Sequence, residues 1–309
     1  TVTVLFSVLA VGGAPRWAAI GTAALSTIAL ALAVPARPRW REHAPALVLA
    51  ALALSSALQA IPVGLDLLAF VSPQAADIWA RSLTATGRTV DTGAVSLDPG
   101  ASRIEAMKWL GYACVFVAAS RLAKMRGHGP GLAMVFGSSV VVAVVTLLHS
   151  LFGLRELFGL LEPATAKTPV LFGPLLNANN LAGYLNLGAF AGLGLLLGRD
   201  KPARSWLLGA GVIVVLGVSL RTGSRGGAVA MALGLVALTT LLLLVSARRG
   251  RAPDHQQLRR TALALVAVVI TGAATLGLVG ADAGFWNELL SVNTVKLSLV
   301  AWARPLVEQ

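Results

Sequence analysis

Apolar residues in this chain come in long runs, not at alternating positions. Stretches near 1–14, 17–34, 45–62, 105–120, 131–152, 178–197, 206–221, 227–246 and 261–281 hold few or no charges. About 20 mostly apolar residues suffice for a helix to cross the hydrocarbon core of a bilayer. The pattern therefore predicts an all-α polytopic membrane protein with about nine transmembrane helices, the first of them short. Residues 1–281 read as a transmembrane helical domain with long outer connections at 63–104 and 153–177. Residues 282–309 read as the start of an outer hydrophilic segment. The chain opens at Thr1 inside an apolar run and stops at Gln309 in a helix-like stretch, so both ends are expected to be cuts in a longer protein.

Composition agrees with the pattern. Of 309 residues, 56% are hydrophobic and 12% charged, with a mean hydropathy of +0.78, whereas a soluble domain carries about a quarter charged residues. Lys and Arg number 25 against 13 Asp and Glu, a net charge of +12. In a soluble chain that balance would suggest nucleic acid; here its distribution gives another meaning. The connections 35–45, 121–130, 198–205 and 247–260 hold 14 bases and only the acids Glu42, Asp200 and Asp254. The alternate connections, with Arg221 at the edge of one, hold ten bases and nine acids. By the positive-inside rule the four basic connections are cytoplasmic, and the alternation runs through all nine spans without exception. Bases scattered over short loops present no continuous basic face, so no nucleic-acid partner is expected, and membrane lipids are expected partners. Dense glycines, as at Gly183, Gly188, Gly192 and Gly194, suit close helix packing in lipid. The lone Cys114 lies in an apolar run and reads as packing. In the long outer connection, Asp77 to Leu83 reads first as part of a solvated connector, with a short amphipathic helix at the interface, Trp79 its anchor, as the alternative.

Two polar clusters stand at span boundaries, where uncompensated polar groups are expensive. The first runs from Gly173 to Leu185 and contains Asn177, Asn179 and Asn180. Asn177 or Asn179 is suited to cap the new helix, which accounts for one asparagine but not three. The second is Ser219-Leu220-Arg221-Thr222-Gly223-Ser224-Arg225-Gly226-Gly227, a tight outer turn that carries two arginines against the positive-inside tendency. Ser224 as N-cap, Arg225 among the first helical residues and the positive end of a helix all point at one place, the arrangement of an anion site. Gly223, Gly226 and Gly227 would let a phosphate approach the backbone. Arg221 is also placed to pair with carbonyls at the end of its own helix. Lys296, in an amphipathic outer stretch, is a third candidate. Of the histidines, His43, His128 and His255 fall on cytoplasmic segments, and His149 reads as a packed or interfacial residue. No closely spaced metal ligands, no phosphate loop and no serine elbow occur, so neither a metal nor a nucleotide cofactor is expected. Because the helices starting near Asn177 and Ser224 both begin on the outer face, Asn177, Asn179 and Arg225 are expected to converge.

Taken together, Gly173-Pro174-x-x-Asn177-x-Asn179-x-x-Ala182-Gly183-Tyr184-Leu185 followed by Ser224-Arg225-Gly226-Gly227 resembles the bacterial O-antigen ligase and O-antigen polymerase family over roughly residues 165–309. The tail from Lys296 to Gln309 is similar to the segment by which that family enters its large periplasmic loop, with Lys296 where an arginine usually stands. The substitution keeps the charge and loses the forked geometry. The resemblance implies a multi-pass protein of the bacterial inner membrane with its active site facing the periplasm. It implies metal-independent, inverting glycan transfer from an undecaprenyl-diphosphate-linked donor to an acceptor, lipid A core or a growing polysaccharide. Arg225 is implied to stabilise the pyrophosphate, and Asn177, Asn179, Asn180, Arg221, Ser224 and Lys296 to bind substrate. The catalytic histidine of the family is implied to lie beyond Gln309. Ligase, polymerase and protein O-oligosaccharyltransferase share these motifs, and a transporter or flippase of anionic lipid-linked sugars is the alternative from another class.

Overall fold

The structure is a computed structural model that describes residues 2–33, 44–85, 87, 91–154, 156–158, 173–198 and 205–248. Among these residues the chain is helical almost throughout, and four helices are long and apolar enough to cross a membrane. They are α2 (Arg16–Ala33), α7 (Gly129–Leu151), α8 (Ala178–Leu197) and the first 18 residues of α10 (Arg225–Arg248). Two further apolar helices, α3 (Ala44–Gln59) and α9 (Ser205–Arg221), are shorter. The ninth expected span, 261–281, and the outer segment 282–309 with Lys296 lie outside the described residues.

The chain divides into two compact units at Ser138/Ser139, within α7. In the first unit, the opening apolar run forms only α1 (Val2–Leu9), which at about 1.5 Å per residue is far too short to span a bilayer. A turn of 3₁₀ helix at Val11–Gly13 and Pro15 reverse the chain into α2. There Phe6 sits edge-on to Trp17, ring centroids 6.3 Å apart, and also covers Gly21. The helix expected over 105–120 is α6 (Pro99–Arg126), extended at both ends by charged turns. Asp98 caps it, its Oδ1 accepting from the Ala101 amide at 2.9 Å, with Pro99 at the first helical position where no amide is needed. Both α2 and α3 pack on α6, and Gly111 lets α6 approach the backbone of α2 at Ala23. Near its other end the buried Arg121 reaches the Ala33 carbonyl at 3.3 Å, a cation on the negative end of α2.

The connection between α3 and α6, expected on the outer side, is folded. Strands β1 (Val63–Gly64) and β2 (Thr92–Gly93) pair antiparallel, Val63 opposite Gly93. Between them stand α4 (Leu65–Val71) and α5 (Pro73–Thr84) around a small core of Leu68, Ala75 and Ala76. The amphipathic helix, the alternative reading of Asp77–Leu83, exists as part of α5, with Asp77 and Arg81 paired one turn apart. Trp79 does not act as an outward anchor. Its indole Nε1 donates to the Ala94 carbonyl at 2.9 Å, and its ring packs against that core, where Gly93 leaves room for it.

In the second unit α8 is the centre. Ten of its 20 residues are buried, as expected of a helix that is apolar or small nearly all round. It packs on α9 and α10. The contacts Asn179–Ser224, Ala182–Gly227 and Phe190–Gly234 ascend together in sequence, so α8 and α10 run parallel with α9 returning between them. A Cβ at Gly227 would stand 2.5 Å from that of Ala182, and one at Gly234 would stand 2.3 Å from the Phe190 ring. On the other side of α10 Val229, Leu233 and Val236 are exposed, an apolar stripe suited to lipid. Antiparallel to α8, α7 places Ser139 at Gly188, where an added Cβ would meet Oγ at 2.1 Å and Cβ at 2.2 Å. Gly188→Ala is therefore expected to destabilise the protein by about 1–3 kcal/mol through overpacking, and Ser139→Gly in the same chain is expected to restore most of the loss. Thermal unfolding of the two variants in detergent measures both effects.

Candidate functional site

The site is built from two helix starts and one helix end, all in the second unit. Asn177 is the N-cap of α8, in extended conformation, and its Oδ1 accepts from the Asn179 amide at 2.9 Å. Of the three asparagines, this is the one that capping requires. Asn179 is left with its side chain free of the cap, and its Oδ1 accepts from the Ser224 hydroxyl at 2.6 Å. Ser224 caps α10 in turn, its Oγ accepting from the Gly227 amide at 3.0 Å and its carbonyl from the Ala228 amide at 2.9 Å. One serine hydroxyl thus both closes the start of α10 and ties it to the start of α8.

The turn before it is set by local rules. Past Arg221, the Thr222 hydroxyl bonds the Ser219 carbonyl at 2.7 Å, and Gly223 adopts φ +69°, a conformation that favours glycine. The glycines expected to open the backbone to a phosphate therefore separate into different roles. Gly223 makes the turn and Gly227 seats Ala182, while Gly226 has open space around it. Arg221 ends α9, Arg225 begins α10, and both side chains are exposed. The first-turn amides of α8 and α10, the partial positive charge of both helix starts and the Arg225 guanidinium are gathered at one end of this unit. Asn180 is exposed on a different face of α8, with Gly183 and Leu187, away from the Ser224 contact.

Two turns along α8 from Asn179 lies a residue that the sequence clusters did not single out. Asn186 is 5% exposed; its Nδ2 donates to the Gly227 carbonyl at 2.8 Å and its Oδ1 accepts from the Ser219 hydroxyl at 2.6 Å. Asn179, Ala182 and Asn186 follow the i, i+3, i+7 spacing of one helix face, and that face meets α9 and α10. This periodicity was the available signal: an asparagine within an apolar span, seven positions after one at its boundary. His149 is buried on α7, Nδ1–H directed to the Val145 carbonyl at 2.9 Å and Nε2 accepting from the Phe158 amide at 3.3 Å. It sits edge-on to the Phe158 ring, centroids 5.3 Å apart, a packed histidine that fastens the chain after α7. Among the described residues no three His, Cys, Asp or Glu side chains gather as a metal site would require.

Comparisons with protein-family models, with curated proteins and with solved structures give no match to this chain. The reading of the site accordingly rests on its geometry and on the motif resemblance.

Two substitutions separate the layers of this network. Ser224→Ala removes both a cap and the cross-helix bond, with an expected loss of about 1–2 kcal/mol. Asn186→Leu leaves the Ser219 hydroxyl only its long contact with the Ala182 carbonyl, 3.5 Å away, and strands one lone pair of the Gly227 carbonyl, with an expected loss of about 1–3 kcal/mol. In a double-mutant cycle of Asn179→Ala with Ser224→Ala, followed by reversible unfolding in detergent, a coupling of at least about 0.5 kcal/mol is expected. Additive effects would show that the contact between the two helix starts contributes nothing.

Proposed function

We propose that this protein transfers a glycan from an undecaprenyl-diphosphate-linked oligosaccharide to a sugar hydroxyl, without a metal, at the periplasmic side of a bacterial inner membrane. The acceptor is lipid A core or a growing polysaccharide. In this reading the apolar runs from 17–34 to 261–281 are spans, the basic connections are cytoplasmic, and the starts of α8 and α10 lie at the outer boundary. The observation that carries the proposal is the side-by-side placement of those two starts, joined by the Asn179–Ser224 hydrogen bond, with Arg225 as the first residue of α10.

The chemistry asks for such a place. The acceptor hydroxyl gives its proton to a general base, a histidine in the family that the motifs resemble, as its oxygen attacks the anomeric carbon; the bond from that carbon to the diphosphate oxygen breaks with inversion, and the departing lipid diphosphate gains negative charge. Oriented amides, two positive helix ends and a guanidinium stabilise charge that develops at one point. In this reading Arg225 meets the leaving diphosphate, while Asn177 and Ser224 hold the helix starts that frame it. Asn179 fixes their separation and Arg221 borders the donor, while Asn180 faces away from that contact and Lys296, which the resemblance adds, lies outside the described residues. The donor's lipid tail stays in the bilayer, beside the apolar outer stripe of α10. A transporter of the same lipid would place broken helices near mid-membrane, whereas α8, α9 and α10 each run without interruption.

Glycan transfer from a purified lipid-linked donor, followed in vesicles, tests the assignment. Arg225→Ala is expected to lower the rate about 100- to 1,000-fold, Arg225→Lys to retain part of it, and Arg221→Ala to lose less. No loss in a stably inserted Arg225→Ala protein overturns the role given to Arg225. The orientation is checked separately by Gly226→Cys, at an exposed position of the same turn, introduced with Cys114→Ala, which is expected to react with an impermeant thiol reagent from the periplasmic side. Reaction only after the cytoplasmic face is opened would reverse the topology.

A further inference from the structure

The folded connection between α3 and α6 hides one apolar side and bares another. Leu68 points into its small core, fully buried, while Leu67, Phe70 and Val71 on the same short helix are 55%, 87% and 60% exposed. An almost fully exposed phenylalanine flanked by two exposed aliphatic residues is not what a solvated connector presents. From Leu67 to Ala76 the chain carries no charge, and the connection's Asp77–Arg81 pair belongs to α5 instead.

The connection also has little freedom to stand away from the helices it joins. The Ser96 amide donates to the Gln59 carbonyl at the end of α3, 2.9 Å apart. The Leu65 amide, where α4 begins, donates to the Asp91 carbonyl at 3.3 Å. Leu65 also follows Gln59 by only six residues, so the start of α4 lies within about 22 Å of the end of α3. Leu54, Leu58 and Ile61 carry the exposed apolar surface of α3 up to that point, so the α4 patch continues a surface of the same kind.

We propose that α4, and not α5, is the membrane-seated element of this connection, with Leu67, Phe70 and Val71 placed among lipid acyl chains just below the headgroups and α5 turned to water. The occupant of the patch is a lipid surface. Continuity with the exposed side of α3 and the uncharged run from Leu67 to Ala76 argue for it, and the inference rests on the reading of α3 and α6 as membrane spans. Phe and Leu are among the residues that interfacial helices bury at the boundary between headgroups and acyl chains. In this connection the depth marker is therefore Phe70, while Trp79 holds the connection together.

Single cysteines in a Cys114→Ala background test this in the full chain reconstituted into phosphatidylglycerol/phosphatidylethanolamine vesicles. Phe70→Cys, Asp77→Cys and Leu52→Cys are each labelled with an environment-sensitive fluorophore and exposed to iodide in water and to spin-labelled lipids at shallow and deep positions. All three side chains are exposed, so the labels displace no core contact. The label at 70 is expected to be quenched several-fold more by shallow spin-labelled lipid than by iodide, the label at 77 the reverse, and the label at 52 most by the deep lipid. Iodide quenching at 70 together with deep-lipid quenching at 52 overturns the seating of α4 alone. Iodide quenching at both positions overturns the membrane reading of α3 on which it rests. Shielding of 70 from lipid and iodide alike, with disulfide-linked dimers of Phe70→Cys, assigns the patch to a second copy and also overturns the proposal.

Discussion

In a hydrocarbon surround each polar group must find its partner within the protein, and in the second unit that constraint falls on Asn186. Its amide has one donor group committed to the Gly227 carbonyl and its oxygen committed to the Ser219 hydroxyl. Removing either partner leaves a buried polar atom stranded, so α9 and α10 are held at one height against α8. The outer contact between Asn179 and Ser224 follows from this. With Gly227 fixed one level down, the cap of α10 arrives beside the second residue of α8 without further adjustment. The alignment of two positive helix ends, which in isolation repel, is thus maintained by hydrogen bonds and close packing below them.

Small residues give those bonds their reach. A side chain at Gly227 or Gly234 would force α10 away from α8, and a bond of 2.8 Å from Asn186 to a main-chain carbonyl demands that the backbone be near. Packing and polarity cooperate here as they do at many helix pairs in lipid, where apolar area offers no preference for protein over solvent. In the first unit the same logic acts through other residues, with Gly111 against α2 and Arg121 on the carbonyl end of that helix.

Much of this arrangement was legible in the chain. The apolar runs located α2, α3 and α6 to α10 within a few residues, since length and absence of charge decide where a helix is tolerated in lipid. The capping chemistry of Asn177 and Ser224 could be read because an N-cap is a local matter of one side chain and the next amides. The opening run misled, since its length in sequence does not reveal that Gly12, Gly13 and Pro15 stop the helix after Leu9. Trp79 misled for a related reason. A tryptophan near a boundary favours the interface on average, but a nearby carbonyl and a glycine opposite it gave the indole a place within the connection. Asn186 was passed over because it stands alone in its stretch of sequence, and its partners are 33 and 41 residues away. Lys296 and the last expected span fall outside the described residues.

Three stacked contacts between α8 and α10, at Asn179–Ser224, Ala182–Gly227 and Phe190–Gly234, have a mechanical meaning. Sliding one helix along the other by a turn would drive Phe190 out of the notch at Gly234 and onto neighbours that carry side chains, while breaking the hydrogen bonds at both upper levels. No second register exists that restores all three, so the two helices form a single stiff rod pair without a ratchet between them. Whatever rearrangement accompanies a working cycle must be taken up elsewhere, in the connections or in the helices around the pair. The end formed by the two helix starts keeps its shape throughout.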